Sequence, residues 1–95
     1  MKKHTVLDNY IEQRYEIDLG DSMATANYTR QPGIVTLVRT YVPPQHEGEG
    51  IAAALTRAVL EDVRDKGLQI IPQCSYTATY ITRHPEWAEL VYQEK

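Results

Sequence analysis

Alternation of apolar and polar positions predicts a β-hairpin near the start of the chain. Residues 12–19 and 22–28 each carry larger or apolar side chains at every second position, which is the period of a half-buried strand. Gly20-Asp21 lies between the two segments and is a favoured tight-turn pair. The two segments are therefore expected to pair as antiparallel strands.

A third strand is predicted over residues 34–42, which are β-branched or apolar on both faces. Such a run is typical of a central strand that is covered on both sides. Gln31-Pro32-Gly33 precedes it as a turn. Pro43-Pro44 is expected to end its pairing, because proline donates no ladder hydrogen bond. The three strands would form an antiparallel meander.

The second half of the chain reads as helix, strand and two short helices. Residues 50–66 have apolar positions at steps of three and four, and Gly67 supplies the expected C-terminal stop. Residues 68–71 predict a fourth strand, ended by Pro72. Residues 76–83 predict a short helix, and a last one would start with Pro85 at its first position. The fold class is therefore α+β, in the order strand-strand-strand-helix-strand-helix.

Composition and charge narrow the classes of function. The 95 residues, at 10.9 kDa, suffice for one domain, and the net charge of −3 is spread without a basic patch, so neither nucleic acid nor an anionic membrane is the expected partner. One cysteine, Cys74, excludes an internal disulfide and a cysteine-rich zinc site, and no other residues have metal-ligand spacing. No long apolar run exists, so the expected location is the cytoplasm. The sequence is compatible with a homodimer and does not decide the oligomeric state.

The loop between the third strand and the long helix carries the strongest chemical signal. Val42-Pro43-Pro44-Gln45-His46-Glu47-Gly48-Glu49-Gly50-Ile51-Ala52 leaves a strand and starts a helix within a few residues. Backbone N–H groups around Gly48, Gly50 and Ile51 have no intrahelical partners, and the helix dipole favours negative charge there. The loop predicts a diphosphate-type anion site, with a plain loop and a glycine helix start as the alternative. It lacks the Lys-Ser/Thr pair of a Walker loop.

Two sequence blocks resemble the GNAT superfamily of acetyl-CoA-dependent N-acetyltransferases. The first is Gln45-x-x-Gly48-x-Gly50 after a strand and before a helix. The second is Ile71-Pro72-Gln73-Cys74-Ser75-Tyr76, followed by Tyr80-Ile81 and His84-Pro85-Glu86-Trp87. The second block is similar to the ending of a short stand-alone family of roughly ninety residues. The resemblance covers about residues 12–92 and implies a GNAT-like fold that binds acetyl-CoA.

The resemblance also implies where acetyl-CoA would lie. Its diphosphate would rest on the amides of residues 45–50, and its pantetheine arm would follow the edge of the strand that ends at Tyr41-Val42. Its thioester would point between the third and fourth strands, near Cys74. The cofactor-binding residues expected on this basis are Tyr41, Val42, Gln45, His46, Glu47, Gly48, Glu49, Gly50, Ile51 and Ala52.

Cys74 and Tyr80 are the expected catalytic residues. Transfer to an amine needs a proton for the departing thiolate, and Tyr80 is preferred over Tyr76 as its donor. Cys74 is either a nucleophile that accepts the acetyl group first or a small buried hydrophobe. His84 is a candidate base, with a place at a helix start as its alternative. His46 is a candidate donor to a phosphate.

This sequence differs from the family pattern at three points. Glu47 and Glu49 stand in the loop where basic residues are common, and Ser75 replaces the usual proline after the cysteine. The N-terminal helices that shape the acceptor site of longer enzymes are missing, so the acceptor site is expected to be shallow. The expected function is direct acetyl transfer from acetyl-CoA to an unidentified amine, with cationic acceptors favoured by the chain's acidity. A non-enzymatic acyl-CoA-binding or protein-interaction module is the alternative, and a small structural domain without a ligand is the third option.

Overall fold

The computed structural model describes residues 5–93. Its strands are β1 (Leu7–Asn9), β2 (Arg14–Asp18), β3 (Met23–Gln31), β4 (Ile34–Tyr41) and β5 (Gln69–Pro72), and its α-helices are α1 (Ile51–Asp65) and α2 (Ser75–Arg83). Two 3₁₀ helices, Pro44–His46 and Pro85–Leu90, precede α1 and follow α2. Within this range no helix is both long and apolar enough to cross a lipid bilayer.

The strands form one five-stranded sheet in the order β1-β2-β3-β4-β5. Strands β1 to β4 pair antiparallel, as the predicted meander requires, and β5 pairs with β4 in parallel. The parallel pairing follows from the helix between them, because a strand that returns in the same direction needs a crossover connection. The predicted α+β fold is confirmed, and the predicted order of elements matches the structure from β2 onward.

The core lies between one face of the sheet and α1. The apolar positions predicted for the hairpin are buried, and Ile51, Leu55, Val59 and Val63 bring the apolar stripe of α1 against them. The stripe forms because residues three and four apart share one side of a helix. Burial of this stripe fixes α1 across the sheet and sets the position of its N-terminus beside the end of β4.

Strand β1 is a correction to the sequence analysis, which did not assign it. A strand of three residues is too short to show an alternating pattern of apolar and polar positions. It is held in the sheet by pairing with β2 and by side-chain contacts. Asn9 Nδ2 donates to Glu16 Oε2 at 3.1 Å, and Tyr28 Oη donates to Asp8 Oδ1 at 2.6 Å. The Asn9–Glu16 contact is local, whereas Tyr28 lies farther along the chain from Asp8. Local patterning did not reveal the strand because three residues are too few to show alternation.

The expectation that β4 is covered on both faces is wrong. Val38 is 41% exposed and Tyr41 is 44% exposed, while Val35 and Leu37 are buried. The pairing of β3 with β4 shifts between Asn27 and Tyr28, because Tyr28 faces Leu37 while Asn27 faces Arg39. Val38 is therefore the extra residue of a β-bulge, and the bulge exchanges the faces of the residues that follow it.

Candidate functional site

A cleft of about 550 Å³ opens where β4 ends and α1 begins. Its walls come from the end of β4, the loop that follows, the first turn of α1 and the start of α2. The lining residues are Thr40, Tyr41, Val42, Pro44, His46, Glu47, Gly48, Gly50, Ile51, Ala52, Ala53 and Tyr76. We call this space the β4–α1 cleft. It is the largest of the cavities described within residues 5–93.

Free backbone amides line the loop side of the cleft. The first hydrogen bond of α1 runs from Ala54 N to Gly50 O at 3.1 Å, so the amides of residues 51–53 precede it and have no intrahelical acceptor. Gly48 and Gly50 have φ values of 85° and 77°, a left-handed conformation that glycine adopts without strain. A Cβ atom at either position would meet no heavy atom within 4 Å. The loop therefore turns its backbone toward open space.

Not all the backbone amides of residues 45–50, which the resemblance implies as the diphosphate contacts, are free to bind a ligand. His46 N donates to Pro43 O at 2.9 Å and Glu47 N donates to Pro44 O at 3.2 Å, which closes the first 3₁₀ turn. These two amides are already satisfied, so the continuous run of free donors starts at Gly48. The positive end of the α1 dipole adds to them, which makes the start of α1 suited to a phosphate group.

The edge of β4 beside the cleft is free. Its pairing with β5 runs from Ile34 to Leu37, and Cys74 N then donates to Leu37 O at 2.9 Å. Beyond that point the chain leaves β5 and starts α2, so no strand from residues 5–93 pairs with residues 38–41 on that side. An extended ligand could pair with this edge as an added strand does.

The β-bulge at Val38 turns Thr40 toward the cleft. Regular alternation from Leu37 would point Arg39 and Tyr41 to the core face, yet Thr40 pairs with the buried Ala26 and shares that face. Thr40 lines the cleft and its Oγ1 accepts a hydrogen bond from Cys74 Sγ at 3.5 Å. The bulge thus links the cleft to the single thiol of the chain.

Cys74 lies immediately before α2, half-buried behind Thr40. Burial by itself raises the pKa of the thiol, but the Thr40 hydroxyl and the backbone amides of Thr77 and Tyr76 favour the thiolate more strongly, so the net pKa is lowered. The Thr77 side chain also favours the thiolate, and its Oγ1 is a buried oxygen without a hydrogen-bond partner in residues 5–93. Cys74 therefore has the setting of a reactive cysteine.

The chain matches the family model for the GCN5-related N-acetyl-transferase over residues 14–90. It belongs to the GCN5-related N-acetyltransferase family. Its fold is similar to the solution structure of a GCN5-like protein from Staphylococcus aureus, with a TM-score of 0.72 and 20% sequence identity. The alignment covers 100% of this chain and 94% of that one. The resemblance to the GNAT superfamily and the GNAT-like fold are thus confirmed.

Most of the predicted cofactor-binding residues of this family member line the β4–α1 cleft, but Gln45 and Glu49 do not. Gln45 Nε2 donates to Ser22 Oγ at 3.4 Å, and Glu49 Oε1 lies 3.0 Å from His46 Nδ1. Both side chains are thus directed to other partners. Thr40, Pro44, Ala53 and Tyr76 also line the cleft, although they were not among the expected cofactor-binding residues. Tyr76 had been considered as a proton donor, and the small side chain of Ala53 at the first turn of α1 is compatible with a closely bound ligand; no signal in the sequence pointed to Thr40.

The two tyrosines of α2 have different surroundings. Tyr76 lines the β4–α1 cleft, whereas Tyr80 lines a smaller adjoining space of about 150 Å³ together with His84. Tyr80 stacks on His84 with ring centroids 4.1 Å apart, and burial raises the pKa of Tyr80. His84 Nδ1 donates to Tyr80 O at 2.9 Å. The sequence analysis preferred Tyr80 over Tyr76 as the proton donor. In the structure, Tyr76 lines the β4–α1 cleft and Tyr80 does not, so the geometry favours Tyr76.

No metal site accompanies the cleft in the described part of the chain. Across residues 5–93 no group of three His, Cys, Asp or Glu side chains is arranged to hold a metal ion. The chemical groups around the cleft are backbone amides, a free strand edge, hydroxyls, the His46 imidazole, the Glu47 carboxylate and, behind Thr40, a thiol.

Proposed function

We propose that this chain binds acetyl-CoA in the β4–α1 cleft and transfers the acetyl group to an amine by direct attack. Membership of the GCN5-related N-acetyltransferase family supports the class of reaction. The observation that carries the donor assignment is the set of unpaired amides that starts at Gly48, at the positive end of α1. These groups fit a diphosphate, and the free edge beside them fits the amides of a pantetheine arm.

Different parts of the cleft would contact different parts of acetyl-CoA. The amides of residues 48–53 would hold the diphosphate, and the small side chains of Ala52 and Ala53 leave room for it beside the first turn of α1. The backbone of Thr40 and Tyr41 would pair with the pantetheine arm. This arrangement would direct the sulfur end of the donor toward Thr40 and Tyr76, on the opposite side of the cleft from the loop.

Acetyl-CoA supplies an acetyl group activated as a thioester. Attack by the amine nitrogen forms the new C–N bond as the C–S bond breaks, and the departing sulfur then needs a proton. The Tyr76 hydroxyl is our choice for this proton donor because Tyr76 lines the cleft; Tyr80 is the second candidate. Water takes the proton that the amine releases.

Cys74 supports a second route to the same product. Its lowered pKa makes the thiolate available for attack on the thioester, which would form an acetyl-cysteine and release CoA before the amine reacts. Direct attack stays the first proposal because Cys74 lies behind Thr40 rather than on the cleft wall. An acetyl adduct on Cys74 that disappears when an amine is added would establish the second route instead.

The acceptor is proposed to be a cationic amine, such as a lysine side chain or a polyamine. The net charge of −3 favours encounter with cations. The open cleft between short elements would accept an amine on a flexible chain more readily than one that must be enclosed.

Two measurements test the proposal in order. Coenzyme A at a hundred times its dissociation constant should stabilise the fold by about 2.7 kcal/mol in a thermal-shift assay, and NMR shift changes should cluster in residues 46–53 and 76. Mass spectrometry with acetyl-CoA and a set of amines should then detect acetylated amine. Absence of stabilisation at millimolar coenzyme A would refute the donor site; binding without acetylated amine would favour the non-enzymatic acyl-CoA-binding module.

A further inference from the structure

His46 lies between two carboxylates from different parts of the chain. Its Nε2 is 2.8 Å from Asp21 Oδ1 in the β2–β3 turn, and its Nδ1 is 3.0 Å from Glu49 Oε1 in its own loop. The His46 side chain is only 18% exposed, although both carboxylates are largely exposed. Gln45 adds a second contact with the same turn, through Ser22 Oγ.

These two distances define the protonation state of the ring. A carboxylate only accepts hydrogen bonds near neutral pH, and a neutral imidazole carries a single N–H. Both contacts can be hydrogen bonds at the same time only if both ring nitrogens carry protons, which makes His46 an imidazolium. The pKa of His46 is accordingly raised, by the hydrogen bond to Asp21 and then by that to Glu49.

We propose that His46 is a positioning residue for the acyl donor, because its imidazolium fastens the loop to the β2–β3 turn and turns the charge of Glu49 away from the anion site. The inference rests on the proposed function. It explains how a loop with two glutamates and no lysine or arginine can receive a diphosphate. The His46 imidazolium offsets part of the Glu49 charge, because it is shared with Asp21, and Glu47 is the acidic side chain that lines the β4–α1 cleft.

The proposal predicts the direction of the pH dependence. The histidinium contacts are fully present below the ordinary histidine pKa of about 6.5 and are lost as the pH rises through the raised pKa of His46. Loss of the imidazolium removes the positive charge beside Glu49, and the neutral ring can donate to only one of the two carboxylates, so the contact with either Glu49 or Asp21 is lost. Affinity for coenzyme A should therefore fall as the pH rises from 6 to 8.5.

The experiment measures coenzyme A affinity by titration calorimetry at several values between pH 6 and 8.5. The variants are His46→Gln, His46→Arg, Glu49→Gln and the double variant His46→Gln/Glu49→Gln, with Asp65→Asn as a matched control that removes an exposed carboxylate from the far end of α1. His46→Gln should weaken binding at pH 6 by about three- to tenfold, the range expected for loss of two partly exposed ion pairs. Glu49→Gln should restore most of that loss in the double variant.

His46→Arg separates a charge effect from the ligand's own ionisation. Arginine stays protonated at every pH used, so the ratio of the wild-type to the His46→Arg dissociation constant cancels the titration of coenzyme A itself. That ratio should rise with pH. A purely structural role for His46 would give neither the rising ratio nor the restoration by Glu49→Gln.

Two outcomes would overturn the inference while the donor site stands. One is wild-type affinity in His46→Gln across the pH range; the other is a double variant as weak as His46→Gln. If the variants fail to fold, an NMR titration of His46 in the wild-type chain decides instead, because a pKa at or below about 6.5 would exclude the imidazolium at neutral pH. Absence of coenzyme A binding by the wild type at every pH would refute the proposed function itself.

Discussion

Replacing Gly50 with aspartate tests the anion site at its first free amides. Gly50 has φ 77° and lines the β4–α1 cleft, and a Cβ atom added there would meet no heavy atom within 4 Å. The new side chain therefore causes no clash in the unliganded protein. It adds a negative charge at the position where we propose the diphosphate to bind.

Gly33 supplies a matched control for this change. It has φ 78° in the β3–β4 turn, and a Cβ atom there also meets no heavy atom within 4 Å. Aspartate at either position must adopt a left-handed backbone, at a cost of roughly 1 kcal/mol. Both variants should lower the melting temperature by about 4–8 °C, the shift expected per kcal/mol for a domain of this size.

The effects on coenzyme A binding should differ between the two variants. Two unit charges about 6 Å apart interact by about 0.7 kcal/mol even in bulk water. A diphosphate with two charges would thus be repelled by about 1.4 kcal/mol, which weakens binding about tenfold in Gly50→Asp. Gly33→Asp should bind as the wild type does.

Calorimetric titration of both variants with coenzyme A, after melting curves confirm that both are folded, measures this difference. Equal affinities in Gly50→Asp and the wild type would place the diphosphate elsewhere. An equal loss in both variants would show that strain or net charge, rather than local repulsion, causes the effect.

Three further predictions follow from individual contacts. Thr40→Val should raise the pKa of Cys74 and slow its alkylation by iodoacetamide at pH 7.5, whereas Thr40→Ser should alkylate as fast as the wild type. Equal rates in all three proteins would show that the Thr40 hydroxyl does not lower the pKa of Cys74. Tyr76→Phe should lower the rate of acetyl transfer in steady-state assays about a hundredfold, and Tyr80→Phe should lower it less. A larger loss in Tyr80→Phe would identify Tyr80 as the proton donor instead. Burial, followed by the hydrogen bond to Asp62, raises the pKa of Tyr15. The stabilisation that its neutral hydroxyl gives is therefore complete below about pH 10 and is lost as the pH rises further. In urea unfolding, the free energy of unfolding should fall less between pH 9 and pH 11 for Tyr15→Phe than for the wild type.

Much of the fold could be predicted from local patterning. Alternation predicted β2 and β3, and steps of three and four residues predicted α1, because one buried face imposes a regular spacing along each element. A run of β-branched and apolar residues predicted β4, and all four elements lie within a few residues of their predicted bounds. Strand β1 escaped prediction because a segment of three residues is too short to show alternation, although its pairing with β2 is local.

Some features of the candidate site follow from the local sequence, and others arise only from contacts in the folded sheet. The chain order of a strand, two glycines and a helix start determined by itself that free amides would gather near Gly50, since every helix leaves its first amides without intrahelical acceptors. The pairing of Thr40 with Cys74 arose only in the folded sheet. It depends on the bulge at Val38, and a bulge is set by the register between two strands rather than by the residues of one.

The sequence alone determined the alternation of elements and the place of the loop whose amides are free, because both follow from backbone hydrogen bonding and side-chain period along the chain. Only the tertiary structure decided which side chains surround that loop. Asp21 reaches His46 because the β2–β3 turn lies beside the loop in the folded sheet. The net charge of the loop therefore depends on a neighbour that no local pattern in the sequence reveals.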